Sequence, residues 1–211
     1  MLSYYKTIDG CMTELQQAEP GCWINCIAPE DEEIERLIAD FEIEPDFFRA
    51  AMDEEESSHI DKEDNSTLVV LDVPSVEQSG DGITYTTMPL GIILTEKNVI
   101  TVSTRENPVL NEFSEGIVKG VQTNLKTRFV LYLMLRIAVR YLQYLKQIDK
   151  ISNSVEKELR KSMKNKELIQ LLDIQKSLVY FSSSLKANEI TIEKIMRGRA
   201  IKLYEDDQDL L

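Results

Sequence analysis

The chain of 211 residues has one histidine, His59. That scarcity removes most nucleophilic and acid–base schemes, which rely on imidazole to move the proton. Glycine is sparse as well, at eight residues, and there is no glycine-rich phosphate loop, no dinucleotide-binding glycine pattern and no His-Glu-x-x-His helix. The chain is not expected to be an enzyme. The three cysteines, Cys11, Cys22 and Cys26, form no recognisable disulfide framework, which points to a reducing compartment. With His59 they make the one zinc set on offer, but their spacing fits no ligand knuckle and free thiols are expected.

Long hydrophobic runs are also missing. The most apolar stretch is "RFVLYLMLRIAVRYLQYLKQI", Arg128–Ile148, and its longest uncharged run is Phe129–Leu135. A bilayer needs ~20 apolar residues, and an arginine at its centre costs about 2.5–3.5 kcal/mol. The segment is therefore expected to be a helix buried on several sides at its start and along one stripe at its end. The opening "MLSYYKTIDG" has neither the basic start nor the apolar run of a signal peptide.

Charge is abundant and unevenly placed. The net charge is −13, yet residues 1–118 hold 6 Lys and Arg against 26 Asp and Glu, while residues 119–202 hold 18 against 7. Overall acidity argues against nucleic acid as a partner. The split describes two units with opposite fields.

The first unit alternates strand and helix signals. "CWINCIA" predicts a short strand with Cys22, Ile24 and Cys26 on one face, and Glu30–Glu33 an acidic first turn ahead of Ile34, Leu37, Ile38 and Phe41. A second helix is predicted from Pro45, carrying Phe47, Phe48 and Ala51. "STLVVLDVPSV" predicts a strand stopped by Pro74, "EQSGDG" a loop, and "GIILTEKNVITVS" a hairpin. Asn107-Pro108 should cap a short helix. Tyr4, Tyr5 and Trp23 are expected in the core or at a sheet edge. These signals predict an α/β (α+β) sandwich with a mixed sheet over residues 1–124.

From about Leu125 the pattern becomes one of long helices, the first to Met163 and the second after a reversal at "KNKE", 164–167. In the second, Leu171, Leu178, Leu185 and Ile192 alternate with Ile174, Phe181, Asn188 and Ile195 as a heptad. The two helices are expected to pair antiparallel over 125–200, with Asn188 fixing register. "LYEDDQDLL" looks like the acidic first turn of another helix.

Carboxylates cluster at Glu30–Glu33, at Asp53, Glu54, Glu55 and Glu56, and at Asp61–Asp64. Most such clusters are solvated helix starts and loops. The sharper expectation is that Asp53–Glu56 bind a hard divalent cation through oxygen, across a subunit interface.

The order of the parts carries a resemblance. The block from "CWINCIAPEDEEIERLIADF" through "STLVVLDVP" is followed by "LGIILTEKNVITVST", by "TRFVLYLMLRIAVRYLQYLKQIDKISNSVEKELR" and by "LLDIQKSLVYFSSSLKANEITIEKIMRG". This co-linear set resembles the cytosolic domain of CorA-type magnesium transporters along nearly the whole chain. The resemblance implies an α/β sandwich, two antiparallel helices and the start of a stalk helix at 201–211, with the membrane part absent. It implies a regulatory and gating role on the cytoplasmic side of a cell membrane, in a protein that is a homopentamer at full length. Mg²⁺, weakly held, and other protomers would be the partners, and the membrane would be reached only through the missing C-terminal helices. A departure goes with it: the family's Glu-Asp sensor positions are Arg49 and Ala50 here, and acidic positions on the helix after the sheet are Arg136 and Arg140. A His59-Ile60-Asp61 salt link is expected where the family has a Lys-x-Glu-like element. The alternatives are a self-contained helical-hairpin scaffold that binds a partner, and the cytosolic domain of a zinc transporter of the same superfamily.

Overall fold

A computed structural model describes residues 1–210 except 64, 80–81, 162–164, 199 and 208–209. Strands β1 (Leu2–Ile8) and β2 (Cys11–Leu15) form a hairpin turned by Asp9-Gly10, both at positive φ (50° and 78°). Such a turn matches the twist of the flanking strands, and Asp-Gly is a favoured pair for it. β3 is Trp23–Ile27, and α1 is Asp31–Phe41, whose start is fixed by the Glu33 carboxylate accepting from the Glu30 N–H at 3.0 Å. α2 is Pro45–Met52, with proline at its first position. β4 (His59–Lys62), β5 (Thr67–Ser79), β6 (Gly82–Leu94) and β7 (Val99–Ser103) follow. α3 (Pro108–Ser114) is capped by Asn107, whose side chain accepts from the Val109 N–H at 2.9 Å. Two long helices close the fold, α4 (Lys126–Lys161) and α5 (Asn165–Met196).

The seven strands lie in the order β2-β1-β3-β7-β6-β5-β4, and only β3 and β7 run parallel. The sheet is thus mixed, and helices cover both of its faces. On one face α1 and α2 lay Leu37, Phe47, Phe48 and Ala51 over Cys22, Ile24, Cys26, Leu68, Val70 and Val102. The expected one-sided alternation of the cysteine strand is present, and Cys22 and Cys26 are free buried thiols. Burial pushes the Cys26 thiol far above its ordinary range, which makes it inert. A Cβ at Gly91 would stand 2.3 Å from that of Ala51, so α2 rests on β6 only because position 91 is glycine.

On the other face Trp23, Leu71, Val73, Leu90 and Ile92 meet α3, α4 and α5 through Phe113, Phe129, Leu133, Ile137, Tyr141, Phe181 and Ile195. The Trp23 ring lies 5.3 Å from Phe129 and 6.3 Å from Phe113, and its indole N–H donates to Thr101 Oγ1 at 2.8 Å. Each large apolar side chain buried here contributes about 1.5–3 kcal/mol. The opening of α4 is therefore a core helix, as its apolar run requires, and the hydrophobic cluster runs continuously across residue 125. No helix among the described residues is long and apolar enough to cross a membrane.

Three expectations need correction. Pro74 does not stop its strand: β5 continues to Ser79, and most of "EQSGDG" belongs to a long β5–β6 ribbon, residues 80–81 lying outside the described ones. The Asp72 N–H and C=O bond to Asn188 instead of to β6, so position 74, two residues on, also turns its backbone away from β6. A proline there forfeits no ladder bond. Second, α5 starts at Asn165, so Asn165–Glu167 lie in the helix, while Lys164 and Met163 are outside the described residues. Third, Asn188 does not set the register of a helix pair. α5 buries Ser177, Phe181, Ser184, Asn188, Thr191 and Ile195 against the sheet, while Leu178 stays 44% exposed and Leu185 38%. Finally, "LYEDDQDLL" provides a 3-10 turn at Glu205–Asp207, closed by the Asp207 carboxylate accepting from the Tyr204 N–H.

Candidate regulatory site and the sheet-to-helix junction

The acidic turn Asp53–Glu56 leaves the end of α2 and leads into β4. Its carboxylates take separate partners. Asp53 Oδ1 accepts from the Glu55 N–H at 2.9 Å, and Glu54 Oε1 accepts from the Thr104 hydroxyl at 3.3 Å. Glu56 Oε1 stands 3.5 Å from His59 Nδ1, and His59 Nε2 stands 3.5 Å from Asp61 Oδ2. His59 Nδ1 also donates to the Ser57 carbonyl at 2.8 Å. The expected His59–Asp61 link is thus present, with Glu56 added on the other side of the ring. Asp53, Glu54 and Glu55 are exposed, and among the described residues no three His, Cys, Asp or Glu side chains form a group able to hold a metal ion. Asp64 of the next cluster lies outside the described residues.

The two departure positions have their own uses. Arg49 is exposed and pairs with Asp46 at 2.7 Å one turn earlier, while Ala50 packs at the margin of the α1–α2 core. Arg136 and Arg140, one turn apart on α4, close on a single carboxylate of α3, Glu112, which is only 13% exposed. Arg136 Nε reaches Glu112 Oε2 at 2.7 Å, Arg140 binds the other oxygen, and the Arg140 guanidinium lies over the Tyr144 ring. Two guanidinium groups on one largely buried carboxylate fix α3 on α4. No pattern in the sequence tied Glu112 to them, since the partners lie 24 and 28 residues apart.

A second junction holds α5 on the β5–β6 ribbon through small polar side chains. Asn188 accepts from the Asp72 N–H at 2.9 Å and donates to the Asp72 carbonyl at 2.8 Å, and the Tyr141 hydroxyl donates to that same carbonyl at 3.1 Å. Ser177 Oγ accepts from the Tyr85 N–H at 3.0 Å, and Ser184 donates to Thr87 Oγ1 at 2.9 Å. Ser58, between the acidic turn and β4, lies 2.9 Å from both the Val70 carbonyl and Thr191 Oγ1. Burial raises the Asp72 carboxyl above its ordinary range, and burial together with Asp72 pushes the Tyr141 phenol up. These contacts join Ser58, the β5–β6 ribbon and α5 by hydrogen bonds. Between α4 and α5 runs a groove of about 390 Å³ lined by Met134, Ile137, Ala138, Leu185, Ile192 and Met196.

The described residues thus form a mixed sheet between two helical layers, extended by a long helical hairpin. Residues 19–211 match the family model described as CorA-like Mg²⁺ transporter protein. The chain belongs to that family, whose members are transporters and not enzymes. Cobalt/magnesium transport protein CorA of Methanocaldococcus jannaschii is 24% identical over 179 residues, covering 83% of this chain and 55% of the relative. The chain thus spans about half the length of that curated relative. The fold is that of the soluble domain of CorA from the same organism, with a TM-score of 0.86 at 19% identity over all of this chain and 84% of that one. The ZntB cytoplasmic domain of Vibrio parahaemolyticus also superposes, with a TM-score of 0.69 at 11% identity over 94% of this chain and 80% of that one.

Proposed function

We propose that the chain is the cytosolic regulatory domain of a CorA-like divalent-cation transporter, with Mg²⁺ as the ion and five copies forming the complete assembly. The observation that carries this reading is the family match over residues 19–211 together with a sheet and hairpin that superpose on the CorA soluble domain. The domain acts by transmitting ion-dependent packing between protomers to the membrane part. The contacts of Ser58, two residues beyond the acidic turn, with Val70 and Thr191 support such coupling, because they tie the segment that follows a charged loop to a long rigid element. The apolar groove between α4 and α5 is where a further helix of the assembly packs.

Regulation would run through weak, diffuse Mg²⁺ binding at Asp53, Glu54, Glu55 and Glu56. With Arg49 and Ala50 at the family's sensor positions and no convergent carboxylates among the described residues, the acidic unit attracts the ion by its field. Mg²⁺ gives up its water reluctantly and binds one or two carboxylates loosely. Calorimetry is expected to give a dissociation constant on the order of millimolar or weaker, which rises with salt because screening acts on exposed charges. Alanine at Asp53 and Glu54 should change it little. A saturable, salt-insensitive micromolar site lost in that double variant would overturn the reading. So would a gene encoding no pair of spans of ~20 apolar residues beyond codon 211.

The likeness to the ZntB cytoplasmic domain favours zinc as a second reading of the ion. Transport of Zn²⁺ and not Mg²⁺ by the complete protein in vesicles would select it.

A further inference from the structure

His59 opens the edge strand β4, and its ring is held from one side. Nδ1 lies 2.8 Å from the Ser57 carbonyl oxygen. A carbonyl can only accept, so Nδ1 carries the ring proton. Glu56 Oε1 stands 3.5 Å from the same nitrogen. On the other side of the ring Nε2 faces Asp61 Oδ2, also at 3.5 Å. A charge-assisted N–H···O bond spans only about 2.7–2.9 Å, so an imidazolium proton does not close that gap. A bare ring nitrogen and a carboxylate oxygen thus face each other with their lone pairs. The pair is also well fixed. His59 and Asp61 stand opposite Val70 and Leu68 of β5, two residues apart on one face of the sheet. Between them Ile60 packs on the core of the other face, and Ser58 is bonded to the Val70 carbonyl and to Thr191.

We infer that His59 Nε2 and Asp61 Oδ2 chelate a tetrahedral divalent transition-metal ion of the zinc type at the edge of β4, with water in its two remaining positions. The separation selects the ion. Zinc bonds of about 2.0–2.1 Å to nitrogen and 2.0–2.2 Å to oxygen, at the tetrahedral angle, hold the two atoms about 3.4 Å apart. An octahedral ion with bonds of about 2.0–2.1 Å, such as Mg²⁺, would draw its neighbouring ligands to about 2.9 Å. Imidazole nitrogen also suits zinc and its neighbours in the transition series, whereas hard cations take oxygen. The Nδ1–H bond to Ser57, with Glu56 beside it, is the outer support that fixes the tautomer of a ligating histidine and raises its basicity. Asp61 is 65% exposed, which leaves the other positions of the ion open to water. The inference stands apart from the diffuse attraction of Mg²⁺ to Asp53–Glu56 and does not depend on which ion the complete assembly carries.

The chain has one histidine, so every imidazole signal belongs to this site. Nitrogen-15 magnetic resonance of the ring, at a pH above the ordinary histidine range and with Mg²⁺ in excess, tests the inference on titration with zinc chloride. Before zinc is added, the ring should be the Nδ1–H tautomer. Zinc should then shift the Nε2 resonance, with calorimetry saturating at one ion per chain. His59→Ala should abolish that saturable binding, Asp61→Asn should weaken it about tenfold or more, and Glu56→Gln about tenfold. Cys11→Ser, on the strand at the opposite edge of the sheet, should leave it unaltered. A metal-free ring protonated at Nε2 would overturn the inference without recourse to any variant. So would an Nε2 resonance that zinc leaves in place, displacement of zinc by the excess Mg²⁺, or an isotherm that Asp61→Asn does not change.

Discussion

The two sides of α5 both carry large apolar residues, yet they do opposite things. One side carries Phe181 and Ile195 among Ser177, Ser184, Asn188 and Thr191, and it is buried on the β5–β6 ribbon. The other carries Leu168, Leu172, Val179 and Ile190, larger and more hydrophobic on average, and it faces solvent. Hydrophobicity alone would have turned the helix around. What selects the docked side is the backbone it meets: Asp72 and Tyr85 offer polar groups that the ladder leaves unpaired, and only the side with small polar residues can satisfy them. A buried unpaired N–H or C=O costs about 1–3 kcal/mol, so three such groups outweigh the gain from burying one more leucine.

The sharpest way to break this contrast is Phe181→Ala. The ring lies 5.0 Å from Tyr141 and 6.3 Å from Tyr85 and is almost wholly inaccessible. Truncation leaves a cavity between α4, α5 and the ribbon and should cost about 3–5 kcal/mol by chemical denaturation. A loss below 1 kcal/mol would mean that α5 is not held by this side.

Next in size is Asn188→Ala, which strips the Asp72 N–H of its partner and removes one of two donors from its carbonyl. The expected cost is about 1–3 kcal/mol. Hydrogen exchange at the Asp72 amide should accelerate more than at neighbouring ladder amides. If the amide stays protected, the ribbon and not the helix holds it.

Much of this architecture was legible in the sequence, and the illegible part has physical causes. α1, α2 and α3 could be placed because proline and asparagine punctuate their starts and their apolar residues recur at helical spacing. The β6–β7 hairpin showed because its two apolar runs flank a short polar turn. The ribbon was missed because Pro74 reads as a stop unless one knows that its nitrogen faces a helix, and because "ITYTTM" has no strongly apolar side. The Asp9-Gly10 hairpin carried its own turn signal and was still passed over. In α5 the rows Leu171-Leu178-Leu185 and Phe181-Asn188-Ile195 share one period, and period cannot say which row docks. At Asp53–Glu56, adjacency in sequence suggested convergence, but successive residues in a turn point apart.

A milder test concerns Asp72, a carboxylate beneath α5. Burial raises its folded pKa, against a smaller opposing hydrogen bond from Ser184. Below the ordinary Asp value the group is protonated in both states and its burial carries no charge penalty. As pH rises through the raised folded value, the native state must either bury an ion or hold a proton that the unfolded chain releases, so this contribution to stability is lost. Asp72→Asn mimics the protonated form. Its melting temperature relative to the parent should therefore be highest near neutral pH and converge on the parent as pH falls toward the ordinary carboxylate range. A difference independent of pH would show that Asp72 does not titrate across folding.

The smallest effect is expected at Leu178→Asp, and it sharpens the contrast most. By its heptad position this leucine belongs in a seam between two helices, where an unpaired buried charge would cost several kcal/mol. In the structure it is 44% exposed on the flank of α5 beside the docked row, one turn from Phe181. A carboxylate there keeps its water and gives up only part of one side chain's burial, so the change should lie within about 0.5 kcal/mol, as for ordinary surface sites. Phe181 and Leu178 are three residues apart on one helix, and their substitutions should differ by several kcal/mol, a comparison that cancels any effect of helix propensity common to both. If Leu178→Asp instead separated the helices while the sheet melted unchanged, the α4–α5 seam would be the principal attachment of α5. The polar row on the ribbon would then be a consequence of docking and not its cause.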